Sequence, residues 1–274
     1  MKRFFIVLTI IFVGVLVSGC RNDEETLVVG LECNYPPFNW TTMTTNEHTV
    51  KIADVVGYAD GYDIVMARRI AEELGYKLVI KKLPWEGLIE ALNSGMIDLI
   101  IAGMSPTAER KENIDFTEPY YISKQCIVVR TDSAYANATS IADFNGAKMI
   151  AQNGTLQNDL IDQITGSTRL APRNSYPELF IALEAGVADG VIAEDPVAKL
   201  YANNNPAFKV ITFSEGNGFN VTLEQEAVSI GLKKGNQELA NQINEVLASI
   251  SEQERDAWMQ AAANRYLALN PSGE

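Results

Sequence analysis

Residues 85–103, WEGLIEALNSGMIDLIIAG, return 91 positions later as residues 176–194, YPELFIALEAGVADGVIAE. The two stretches share seven identities in register, L-x-x-A-L-x-x-G-x-x-D-x-x-I-A. Each sets apolar residues at helical spacing (Leu88, Ala91, Leu92; Leu179, Ala182, Leu183). A glycine follows (Gly95; Gly186), suited to ending a helix in the left-handed region, and then an apolar run of the length of a buried strand. One such unit is ordinary in an α/β protein. Two copies in register predict two structurally equivalent lobes.

Working outward, the first copy is preceded by a predicted strand over 27–31, a helix over 63–74 and a strand over 77–81, and it supplies a helix over 85–93 and a strand over 97–102. The second lies in a predicted series of strand 148–152, helix 156–164, strand 167–170, helix 176–184 and strand 190–193. Strands alternating with helices call for parallel-rich sheets covered on both faces. Ligands of such sheets bind outside the carboxyl ends of the strands. Strands are also predicted over 208–213 and 227–232, and helices over 237–250 and from 252 to about 267, the last opened by a Ser251/Glu254 capping box. The tail most simply returns to the first lobe. That gives a first lobe of 27–121 plus 227–274, a second of 127–217, and hinge segments at 122–126 and 218–226.

The N-terminus predicts export. Lys2 and Arg3 precede an uncharged, mostly apolar run over 4–17, too short for an ordinary transmembrane helix and suited to a signal peptide. Val17-Ser18-Gly19-Cys20 resembles a bacterial lipobox, which would make residues 1–19 the leader, Cys20 the lipid-bearing residue and 20–26 a tether. Loss of Lys2 and Arg3 with the leader takes the formal charge from −13 to −15. So acidic a chain argues against nucleic acid and is compatible with small cationic ligands. Cys33 and Cys126 are too few for a disulfide framework and read as two buried thiols, with one bridge left open. The only histidine, His48, lies in a polar stretch over 41–51 that looks like a loop. That excludes a His-rich metal site and disfavours a Ser-His-Asp triad. No phosphate-binding or dinucleotide glycine motif is present. Neither a cofactor nor a metal is expected.

The chemistry concentrates in residues 99–121, LIIAGMSPTAERKENIDFTEPYY. A buried strand ends at Gly103, and Ser105, Thr107 and Arg110 follow. Ser105-Pro106 reads as an N-cap and first-turn pair, placing Arg110 early on a short helix. A guanidinium takes a carboxylate through two parallel bonds, while a strand-end carbonyl and a hydroxyl accept from an ammonium. Those are the needs of an α-amino acid. The competing reading is a surface arginine paired with Glu109, Glu112 or Asp115.

At this point the chain resembles solute-binding protein family 3, the extracellular receptors of amino-acid ABC transporters. The likeness rests on GLECNYPPFNW (30–40), GYDIVMARRIAEELG (61–75), WEGLIEALNSGMIDLIIAGMSPTAERKENIDFTEPYY (85–121) and the AEDP turn (193–196). It implies a type II periplasmic-binding-protein-like fold, two α/β lobes joined by two hinge strands and closing on one small ligand. It also implies a monomer that partners a membrane permease and touches the membrane only through its lipid. By position, Arg110 would bind the ligand carboxylate together with N–H groups around Thr155, Leu156 and Gln157. The Gly103 carbonyl and Ser105 hydroxyl, with Met104 between them, would meet the ammonium. The acidic acceptor falls at Glu194, two before Pro196, in preference to its neighbour Asp195. Tyr35 and Trp85 would flank the ligand side chain, and Glu32 would read its far end. A carboxylate there favours ammonium or guanidinium. Arginine or lysine is the first expectation, glutamine or histidine the second. Some relatives are cyclohexadienyl dehydratases, so an enzyme on the same fold is the alternative from another class.

Overall fold

The structure, a computed structural model, describes residues 25–271. The expected leader, the expected lipid-bearing Cys20 and most of the expected tether lie outside the described residues. Among those described, no helix is long and apolar enough to cross a membrane.

Two sheets carry the chain. The larger has nine strands in the spatial order Asn34–Tyr35, Asn39–Thr42, Tyr58–Asp60, Val50–Ala53, Lys77–Lys82, Thr26–Leu31, Leu99–Ile100, Ala227–Leu232, Asp115–Ile122. The smaller has five, Thr168–Arg169, Lys148–Ile150, Gly190–Glu194, Gln125–Arg130 and Phe208–Ile211. Parallel pairing holds the centre of each sheet, Val29 beside Leu99 and Met149 beside Gly190. The strands leading into and out of the crossings add in antiparallel. The sheets are therefore mixed rather than wholly parallel.

The repeated units share the hydrogen bonds of their helix-to-strand joints. Asp98 accepts from the Val28 N–H at 2.8 Å, and its own N–H donates to the Val28 carbonyl at 2.8 Å. Asp189 does the same with Lys148, at 2.9 and 2.8 Å. The aspartate of the repeat thus caps the neighbouring strand of its own sheet. Gly95 and Gly186 end their helices at φ 76° and 72°. The next residue in each case donates back to the repeat alanine, Met96 to Ala91 and Val187 to Ala182. This arrangement satisfies carbonyls that a helix end otherwise leaves unpaired.

The chain leaves the larger sheet after Ile122 and enters the smaller at Gln125. It returns through a short helix, Leu223–Glu226, directly into Ala227–Leu232. The crossings lie side by side, since the Ser123 N–H donates to the Glu226 carbonyl at 2.9 Å. The final helix, Glu252–Leu269, begins with the expected Ser251/Glu254 capping box. Arg265 on this helix forms an ion pair with fully buried Asp60 at 2.8 Å, tying the C-terminus to the larger sheet.

Three expectations need correction. The stretch over 41–51 is not simply a loop: strands Asn39–Thr42 and Val50–Ala53 both pair with Tyr58–Asp60, and Trp40, Thr42, Ile52 and Ala59 face inward. The helix carrying Arg110 runs Ala108–Asn113 and is capped by Thr107, whose hydroxyl accepts from the Arg110 N–H, not by Ser105. The strand expected over 97–102 is paired only at Leu99–Ile100, so Ile101 and Ala102 already belong to the approach to the cleft. Cys33 and Cys126 are free buried thiols.

Candidate functional site

Between the sheets lies a cavity with about 330 Å³ of space between its atoms. Ten of the twelve residues expected from the sequence line it: Glu32, Tyr35, Trp85, Gly103, Ser105, Arg110, Thr155, Leu156, Gln157 and Glu194. Each sits at a strand end or helix start, where side chains and free backbone groups face out of the sheet.

Arg110 does not behave as a surface arginine. Among the described residues it forms no ion pair with Glu109, Glu112 or Asp115. Its guanidinium donates to the Ser105 carbonyl at 2.9 Å and to the Gly154 carbonyl at 3.1 Å, leaving three of its five N–H groups for another acceptor. Burial lowers its pKa to about 10, so it stays charged at neutral pH. Across the cleft, Thr155 caps the helix Leu156–Leu160, its hydroxyl accepting from the Asn158 N–H. The Thr155, Leu156 and Gln157 N–H groups have no protein acceptor among the described residues, as the start of a helix requires. A guanidinium and a set of free amides in one cavity suit a carboxylate.

The other end of an amino acid has its acceptors too. Gly103 takes φ +67°, and no protein donor among the described residues reaches its carbonyl. The Ser105 hydroxyl donates to the Gln225 carbonyl at 3.2 Å and so keeps its lone pairs for a further donor. Glu194 is 1% exposed, accepts from the Tyr35 hydroxyl, and is raised to about pH 7 by burial. Burial first, and the neighbouring Glu194 after it, hold the Tyr35 hydroxyl well above its ordinary pKa.

Glu32 is the second buried carboxylate. Its Oε2 accepts from Gln152 at 2.9 Å, and its Oε1 is buried with no hydrogen-bond partner. Burial raises its pKa to about 7, against the lowering effects of Gln152 and Lys82. An unpaired buried carboxylate oxygen costs roughly 1–3 kcal/mol or more until a donor meets it.

Two expected residues do not reach the inner cavity. Asp195 turns outward, pairing with Lys199 at 2.6 Å, because it starts the helix Asp195–Asn204 and Lys199 lies one turn on. Met104 is buried and lines the outer cleft beside Thr107 and Gln225, while its carbonyl accepts from the Ser229 N–H. The pairing of Tyr35 with Trp85 also changes. Tyr35 stacks on Phe38 at 5.2 Å and leans on Tyr176 at 4.6 Å. The Trp85 ring instead lies 5.1 Å from the Arg110 guanidinium carbon, and its N–H donates to the Gly154 carbonyl at 3.0 Å. Sequence reasoning missed Gln152 and Tyr176, both of which line the cavity. Tyr176 is the partner of Trp85 in the repeat, which was the available signal.

The backbone at Gly103 admits no side chain. A Cβ there would lie 2.7 Å from Tyr35 Cε1, at a φ that L residues rarely adopt. Gly103→Ala is expected to destabilise the fold by about 2 kcal/mol, read as a lowered melting temperature. An unchanged melt would show that this turn is not under the stated constraint.

The profile of the bacterial extracellular solute-binding proteins, family 3, matches residues 27–267. The arginine-binding extracellular protein ArtP of Bacillus subtilis is 26% identical over 86% of this chain and 84% of its own length. A probable histidine-binding protein of Campylobacter jejuni is 28% identical, covering 82% of this chain and 87% of that protein. Among solved structures, an amino-acid ABC transporter substrate-binding protein of Streptococcus pneumoniae, bound to L-arginine, superposes with a TM-score of 0.76. It is 28% identical, and the match covers 87% of this chain and 94% of that one.

Proposed function

The chain belongs to the bacterial extracellular solute-binding proteins of family 3, and from that premise we propose that it is the receptor of an amino-acid ABC transporter, clamping L-arginine or L-lysine between its lobes and presenting it to a membrane permease. The lipobox sequence adds a lipid at Cys20 that holds the receptor at the membrane surface. The carrying observation is the unpaired buried Oε1 of Glu32 in the same cavity as Arg110 and Glu194. Arg110 and the amides of Thr155, Leu156 and Gln157 take the carboxylate. The Gly103 carbonyl, Ser105 and Glu194 take the ammonium, and Glu32 takes the distal cation. Glutamine would present a neutral amide to Glu32 and gain less. A substrate without an amine would leave buried Glu194 with no cationic partner.

A thermal-shift panel of the twenty amino acids and ornithine on the protein starting at Arg21 tests this reading. A ligand at 100 times its dissociation constant stabilises by about 2.7 kcal/mol. Responses to arginine, lysine or ornithine are expected. Silence across the panel would refute the amino-acid reading, and a preference for glutamine would refute the role of Glu32.

The same two carboxyls set a pH dependence. Both are raised from 4.5 to about 7 by burial, so the ligand-free fold holds their protons more tightly than the unfolded chain does. Its stability therefore falls as pH rises from about 4.5 to 7. A cationic ligand needs both groups ionised. The dissociation constant for arginine is expected to rise on the order of tenfold per carboxylate between pH 8 and pH 6. Titration calorimetry at the two pH values reads it directly, and a flat profile would contradict the assignment.

A further inference from the structure

One buried carboxylate lies outside the cavity and has no ion-pair partner among the described residues. Asp63 is fully buried in the first turn of the helix Tyr62–Leu74, yet its side chain caps none of that helix's N–H groups. It reaches away from its own helix. One oxygen accepts from the Tyr120 hydroxyl at 2.7 Å and the other from the Asn39 amide at 2.7 Å. The Tyr120 hydroxyl in turn accepts from the Gly103 N–H at 3.0 Å. Tyr120 is itself held: its ring stacks on Tyr62 at 5.8 Å, and its carbonyl accepts from the Tyr62 hydroxyl at 2.7 Å.

A carboxylate that accepts from a tyrosine fixes which way that hydroxyl points and leaves its lone pairs toward Gly103. On the far side, the Met104 carbonyl is held by the Ser229 N–H at 3.0 Å. The peptides before Gly103 and after Met104 are thus both pinned. The peptide between them, whose carbonyl has no protein donor among the described residues, has its direction set by its neighbours.

We propose that Asp63 and Tyr120 are positioning residues for ammonium recognition: through the Gly103 N–H they aim the Gly103 carbonyl at the α-ammonium of the ligand. This rests on the amino-acid reading of the cavity. The pair touches no ligand and acts only through the Gly103 backbone, so its effect falls on the amine end of the ligand and not on the carboxylate or distal end.

The test compares two probes, L-arginine and 5-guanidinopentanoate, which keeps the carboxylate and guanidinium and lacks the α-amine. Their dissociation constants are measured for the unmodified protein and for Tyr120→Phe, the weaker probe by competition at millimolar concentration. A misaimed acceptor gives up part of a charge-assisted hydrogen bond, so Tyr120→Phe is expected to weaken L-arginine about tenfold more than 5-guanidinopentanoate. A general loss of packing would weaken both by one factor, and that result overturns the inference alone. Failure of the unmodified protein to bind L-arginine overturns the functional reading and this inference with it. Should Tyr120→Phe not fold, Asp63→Asn carries the same comparison. The Asn39 carbonyl oxygen is buried and unpaired, so a flipped Asn39 amide can accept from the new side chain and preserve the packing. A selective loss of about threefold is expected there, because a neutral acceptor orients the tyrosine more weakly. Equal loss of both probes overturns the inference again.

Discussion

Arg110→Lys is expected to weaken L-arginine binding by roughly a hundredfold or more, because it leaves a buried ligand carboxylate without its paired donors. Lysine keeps the charge and loses the fork. In the structure the guanidinium already spans the cleft, bonded to Ser105 on one side and to Gly154 on the other. An ammonium on a flexible stem cannot hold both carbonyls and a carboxylate in one plane. Trp85 would also lose the flat cation against its ring, an interaction of about 0.5–2 kcal/mol. Circular dichroism and calorimetry separate lost binding from lost fold. A variant that folds and keeps its affinity within threefold would remove Arg110 from the carboxylate site.

Glu32→Gln is expected to lower the preference for arginine over glutamine by about thirtyfold, the difference between a charged and a neutral hydrogen-bond acceptor of roughly 2 kcal/mol. The substitution is nearly isosteric, and a glutamine oxygen can still accept from Gln152. Only the charge facing the ligand changes. The ratio of the two affinities cancels any general effect on closure, since both ligands share the α-carboxylate and α-ammonium. An unchanged ratio would leave Glu32 a structural carboxyl joined to Gln152 and nothing more.

Much of this site was legible because the fold sorts residues by position along a strand. Glu32 follows the strand Thr26–Leu31, and Gly103 and Ser105 follow Leu99–Ile100. Residues there have lost their ladder partners and face the cleft, so a polar residue after an apolar run is already informative. The same logic failed at Gln152 because the strand was expected to include it, whereas pairing with Gly190–Glu194 stops at Ile150. Between Glu194 and Asp195 the position two before Pro196 favoured Glu194. The turn into the next helix aims adjacent side chains in different directions and gives Asp195 a lysine one turn away. The strands on either side of His48 were hidden by their polar residues, since the inward set of Trp40, Thr42, Ile52 and Ala59 is only partly apolar. Tyr35 and Trp85 were placed at the cavity by resemblance. What they touch there, Glu194 and Arg110, depends on side-chain packing that no spacing rule encodes.

The central claim is that a charged end of the ligand is read by Glu32 inside an amino-acid clamp. L-citrulline has the shape of L-arginine and a neutral ureido group in place of the guanidinium, so the pair isolates that charge. Titration calorimetry of both ligands at pH 8 should find L-arginine bound at least about thirtyfold more tightly. Equal affinities for the two would contradict the account.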